Sequence, residues 1–120
     1  MLINLSNHPS STWDKRQLQA AAVYGNIIDL PFPAVEASGD EDYIELLAVE
    51  CANKVQEIAG ECEVTVHLMG EMTLTFAVLR LLQEKQIECI ASTSNRIVTE
   101  SEPGHKEVVF KFERFRKYSG

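Results

Sequence analysis

Residues 64–91, VTVHLMGEMTLTFAVLRLLQEKQIECIA, decide the fold. Val64, Val66 and Leu68 alternate with Thr65, His67 and Met69, the period of two that a strand requires, and Gly70 stops the run. From Met72 to Lys85 the chain is apolar on most sides at helical spacing, which predicts a well-covered helix. Ile87-Glu88-Cys89-Ile90-Ala91 then reads as another strand. A helical crossover between two strands is what a parallel pair needs.

The same alternation extends upstream. Leu2-Ile3-Asn4-Leu5 is a short first strand, and Asn26-Ile27-Ile28-Asp29-Leu30 a second, closed by PFP. Between them Ser11-Thr12-Trp13-Asp14 has capping-box spacing, which places a helix start at Ser11 or Thr12 and its stop at Gly25. Ile44, Leu47, Ala48, Cys51, Ala52, Val55 and Ile58 form one stripe of a long helix ending at Gly60. Downstream, the fourth strand empties into STSNR, and IVTE and KEVVFKF flank the turn-rich SEPGH as a hairpin. The expected fold is α/β, a Rossmann-like three-layer sandwich over residues 1–120 as one domain. Its sheet is mostly parallel with a C-terminal antiparallel hairpin. The first and third strands lie side by side, with the second and fourth outside them.

Composition narrows the function. A net charge of −7 disfavours wrapping duplex DNA, where phosphate contacts carry most of the affinity. The charge is uneven: residues 36–63 hold nine acids and only Lys54 as a base, whereas Lys106, Lys111, Arg114, Arg116 and Lys117 crowd the C-terminus. No apolar run approaches a membrane span, and no basic region precedes the first apolar residues, so neither membrane nor signal peptide is expected. Cys51, Cys62 and Cys89 lie in apolar contexts without C-x-x-C spacing and read as reduced core thiols of a cytoplasmic protein. No metal-ligand spacing stands out, and no Ser-His-Asp or Cys-His arrangement is legible.

In an open sheet of this kind ligands bind beyond the carboxyl ends of the strands where strand order reverses. Three polar exits meet there: SNHPSST after the first strand, GEMT after the third and STSNR after the fourth. None is a dinucleotide fingerprint or a Walker loop. Ser6, Asn7, Ser10, Gly70, Met72, Thr73, Ser92, Thr93, Ser94 and Asn95 are the candidate ligand-binding residues. Two of the exits lead into helices whose N-terminal amides suit a phosphate. His8, Glu71 and Arg96 are the candidate catalytic residues, Arg96 being the only cation in the set. Each has a plainer reading. His8 precedes a proline in a turn, Glu71 complements its helix N-terminus, Arg96 pairs with Glu100 or Glu102, and His67 is a packed core residue.

The C-terminal half resembles the small stand-alone CRISPR-associated proteins of Rossmann-like (CARF-like) fold. The resemblance rests on Gly70-Glu71 after the third strand, ASTSNR as an A-[ST]-T-x-x-R exit, and VFKFERFRKY as V-F-x-F-x-x-F-R-x-Y. NLSNHP matches the group's first-strand exit more loosely, and the helix from Asp40 to Gly60 is generic. The resemblance implies a type III CRISPR accessory protein of antiviral defence that binds cyclic oligoadenylate or another small nucleotide as a homodimer. It also implies a ring nuclease that needs no cofactor or metal, in which a ribose 2′-hydroxyl attacks the adjacent phosphate. The chemistry then asked of the protein is positioning and charge stabilisation. A non-catalytic nucleotide sensor of the same fold shares every pocket feature. An interaction subunit that docks through FERFRKY is the third reading.

Overall fold

A computed structural model describes residues 1–120. β1 (Leu2–Ser6), β2 (Ile27–Pro31) and β3 (Thr65–Met69) are followed by the much longer β4 (Glu88–Glu102) and β5 (His105–Lys117). They form one five-stranded sheet in the order β2-β1-β3-β4-β5. The first three pairings are parallel and β4–β5 is antiparallel. This is the Rossmann-like α/β arrangement that the alternation predicts, with β1 and β3 adjacent at the point where strand order reverses.

The pleat divides the sheet into two apolar faces. Ile3, Leu5, Val66, Leu68 and Cys89 meet α2 (Glu41–Ala59) and α3 (Met72–Glu84) on one side. Leu2 and Ile90 meet Trp13, Ala21, Phe112 and Phe115 on the other, where α1 (Lys15–Ala21) lies. Asp40 caps α2 by accepting from Tyr43 N–H, Glu41 and Asp42 complement its dipole, and Gly60 ends it at φ +57°. No helix is long and apolar enough to cross a membrane.

Four local expectations change. The Ser11–Asp14 capping box does not start a helix: Ser10–Thr12 makes one 3-10 turn, and Asp14 itself caps α1 by accepting from Gln17 N–H. The helix starts later because the Asp14 carboxylate serves the orphan amide three residues on, the part expected of the Ser11 or Thr12 hydroxyl. STSNR is not a loop exit either; it lies inside β4, whose pairing with β5 runs from Ile90 to Glu102 with register shifts after Thr93 and after Glu100. The two strands form a ribbon that projects from the sheet. The radius of gyration is 16.1 Å, where about 13–14 Å suits a compact chain of this length. Third, α3 is not fully covered, since Met72 is 81% and Phe76 62% exposed. Finally, Cys51 and Cys89 are buried, but Cys62 sits exposed just past the end of α2; all three thiols are free.

Candidate functional site

The even-numbered side chains of β1 run Leu2, Asn4, Ser6, so the α1 face of the sheet turns polar toward the carboxyl ends of the strands. Register places Asp29 of β2, Asn4 of β1 and His67 of β3 side by side in one row. All three belong to a single hydrogen-bond network. Asn4 Nδ2 donates to Asp29 Oδ1 and to the His8 carbonyl, each at 2.8 Å. Asn4 Oδ1 is thereby left as an acceptor, taking Ser6 Oγ–H at 2.7 Å and His67 Nδ1 at 2.8 Å.

This fixes the histidine tautomer. An amide oxygen only accepts, so Nδ1 carries the proton and Nε2 presents a lone pair. That lone pair meets Ser92 Oγ at 2.7 Å, and Gln17 Nε2 donates to the same hydroxyl at 3.1 Å. The His67 ring is 2% exposed and is gripped edge-on by Trp13 at 5.2 Å and Phe115 at 5.5 Å. Burial, aided by the charge of His8, lowers its pKa to about 4, so it is neutral at physiological pH. At the other end of the row, burial pushes the Asp29 carboxyl upward. Hydrogen bonds from the Asn4 amide, the Ser10 hydroxyl and the Ser10 amide outweigh it and hold Asp29 below the usual carboxylate value.

At the His67 end of this row lies a polar cavity of about 250 Å³ lined by His8, Thr12, Trp13, Gln17, His67, Met69, Ser92 and Ser94. Asn7 and Ser6 line a second hollow of about 200 Å³ on the Asp29 side. Met69 also borders an open apolar groove of about 820 Å³, lined by exposed Met72 and Phe76 and by half-buried Leu79 and Tyr118. No group of three or more His, Cys, Asp or Glu is placed to hold a metal ion.

The candidate residues divide accordingly. His8, Ser92 and Ser94 come together at the cavity. Ser6 and Ser10 stand behind it, their hydroxyls bonded to Asn4 and Asp29. Thr93 and Asn95 bond across the ribbon to Arg114 and Glu113, local fastenings at the bulge that follows Thr93. Arg96 is not at a strand exit. It is exposed within the ribbon opposite Phe110, does not line the cavity, and makes no ion pair with Glu100 or Glu102.

The exit after β3 differs most from expectation. Glu71 caps α3, its carboxylate accepting from Thr73 N–H, Leu74 N–H and the Thr73 hydroxyl. Those bonds, the Leu74 amide first, lower its pKa. The α3 amides and Thr73 are therefore already occupied, and so is the α1 terminus by Asp14. Gly70 is packed against the chain itself: a Cβ there would lie 2.5 Å from the Phe32 ring, which fills the space. Met72 belongs to the apolar groove rather than to the polar cavity.

Asn4, Asp29, Trp13, Gln17 and the polar role of His67 were invisible from local pattern. Each occupies a strand or helix position that reads as core or surface. The one usable signal was the polar pair Asn4 and Ser6 on the inward face of a short buried strand. No curated protein and no solved structure matches the chain. A family model does match, over residues 1–116, and the chain belongs to the uncharacterized protein MJ1673 family.

Proposed function

We propose that this chain binds a cyclic oligoadenylate at the carboxyl edge of its parallel strands. There it opens the ring by attack of a ribose 2′-hydroxyl on the neighbouring phosphate. The observation that carries the reading is the polar cavity where β1 and β3 end beside the middle of β4, joining His8, His67, Ser92 and Ser94 at the reversal of strand order. The sequence resemblance to CARF-like ring nucleases supplies the ligand class. At about 250 Å³ the cavity suits one nucleotide, so a ring would lie across its mouth and a twofold homodimer would present two cavities to it.

In that reaction the O2′–P bond forms, the P–O5′ bond breaks, and the products carry a 2′,3′-cyclic phosphate and a 5′-hydroxyl. One proton leaves the 2′-oxygen and one reaches the 5′-oxygen. His8 is exposed at the cavity and serves as the proton carrier, while Ser92, Ser94 and Gln17 orient the ribose and phosphate. Arg96 follows Ser92 and Ser94 on the same side of β4 and, being unpaired, is the cation to draw onto the phosphate.

A second reading, a sensor that binds without cutting, is favoured by one feature: both ring nitrogens of His67 are already engaged. Incubation with cyclic tri-, tetra- and hexa-adenylate in EDTA, with separation of the products, tests both readings. A linear product ending in a 2′,3′-cyclic phosphate supports the nuclease. A raised melting temperature with the ring intact supports the sensor. Neither effect with any ring overturns the nucleotide reading altogether.

A further inference from the structure

We infer that Ser92 is an activated nucleophile whose Oγ, bonded to the unprotonated Nε2 of His67 at the cavity wall, forms a covalent ester with a small acyl or phosphoryl electrophile. This goes beyond ring opening and does not depend on it, since there the ligand supplies its own nucleophile.

Three observations carry it. The nucleophile–base distance is 2.7 Å and the tautomer is set, so the Ser92 hydroxyl points its proton at a lone pair. The base is itself oriented: Asn4 Oδ1 holds Nδ1–H at 2.8 Å, and Asn4 is anchored by Asp29 and the His8 carbonyl. Nucleophile, base and orienting group in hydrogen-bonded sequence are the geometric signature of covalent catalysis. Third, Ser92 is half-buried and lines the cavity, so an electrophile that enters reaches it. The other hydroxyls differ: Ser6 donates to an amide oxygen, Ser10 to a carboxylate and Thr93 to a carbonyl. Only Ser92 meets an imidazole nitrogen.

The step balances without a co-reactant. As Oγ bonds to the electrophilic phosphorus or carbonyl carbon, its proton passes to His67 Nε2 and the leaving group departs with the bond electrons. His67 then returns the proton to the leaving group or to water. Asn4 offers the imidazolium an amide oxygen rather than a carboxylate, so this relay is a weaker base than one ending in aspartate. Thr12, Ser94 and His8 line the same space and are the donors available to charge developing on the electrophile.

The test is labelling with diisopropyl fluorophosphate near neutral pH, followed by intact-mass measurement and peptide mapping. Oγ displaces fluoride from phosphorus, so one adduct on Ser92 is expected in the folded chain and none in the urea-unfolded chain. His67→Gln should label roughly a hundredfold more slowly, the contribution of one general base. An unlabelled folded chain, label spread over several hydroxyls, or His67→Gln labelling at the wild-type rate would each overturn the inference. If His67→Gln fails to fold, the folded-against-unfolded comparison on the wild type decides alone. The probe has no ribose, so its outcome is independent of any adenylate result.

Discussion

His67 Nδ1 lies 2.8 Å from Asn4 Oδ1, a contact between adjacent parallel strands that sets the proton inventory of the whole polar row. A histidine held this way takes a proton from solvent only by giving up the Ser92 hydroxyl that Nε2 receives. Protonation must break that bond and charge a buried ring.

Stability should therefore depend on pH through His67. Its folded pKa of about 4 lies below the unfolded value of 6.5, so the unfolded chain binds the proton first as pH falls. The stabilisation is whole above pH 6.5 and is lost as pH falls toward about 4, by roughly 3 kcal/mol in total. Asp29, with its lowered pKa, acts in a separate window below the usual carboxylate value. Urea unfolding across this range checks the slope, which His67→Gln should flatten. Trp13, the only tryptophan, sits 5.2 Å from the His67 ring, and its fluorescence should follow the titration. A flat profile in the wild type would contradict the buried neutral ring.

Gly70→Ala should cost stability without touching ligand chemistry. The added methyl would fall 2.5 Å from the ring of Phe32, a residue 8% exposed and held in the α2–α3 core. Overpacking of this kind costs about 1–3 kcal/mol. Phe32→Leu in the same chain should recover part of the loss. If Gly70 instead served a phosphate, binding would fall and the melting temperature would hold.

The strand alternation around His67 and the helix stripe through Cys51 were enough to give the sheet order, because burial on one or two faces imposes its own period. What escaped was the extent of β4. Ser92, Thr93, Ser94 and Asn95 have the composition of a loop, yet pairing with β5 satisfies their backbone and overrides that preference. The site was half legible. Polar exits are visible in sequence, so His8, Ser92 and Ser94, which the fold brings to one cavity, could be named from it; Asn4, Asp29 and His67 become a network only through register across three strands. Glu71 and Gly70 have partners within the chain for a simpler reason. A helix N-terminus and a glycine are each satisfied as readily by the chain itself as by a ligand.

The thiols should separate cleanly in reactivity. Burial, with the charge of Glu88, pushes the Cys89 thiol up to about 12, and burial raises Cys51 as well. Cys62 is exposed. Titration with an aromatic disulfide reagent should therefore modify one thiol quickly in the folded chain and the other two only on unfolding. Rapid reaction of two or more would mean that the core around Cys51 or Cys89 opens easily.

Arg96 and His8 divide the proposed nucleotide chemistry between binding and proton transfer. Arg96 is exposed on the ribbon, has no carboxylate partner and follows Ser94 along β4, so its removal leaves no buried charge and should not alter folding. A charge-assisted bond to phosphate contributes about 1.5–3 kcal/mol, so Arg96→Ala should weaken cyclic oligoadenylate binding about ten- to a hundredfold. His8 is also exposed, and the bonds of Asn4 and Trp13 go to its carbonyl, which any residue supplies. His8→Gln should thus keep the loop and the affinity but slow cleavage at saturating ligand by at least a hundredfold. Titrations, single-turnover rates and melting curves on both variants separate the two effects. Unchanged affinity in folded Arg96→Ala would return Arg96 to the surface. An unchanged rate in His8→Gln would move the proton to Ser92 and His67, or leave the chain a sensor.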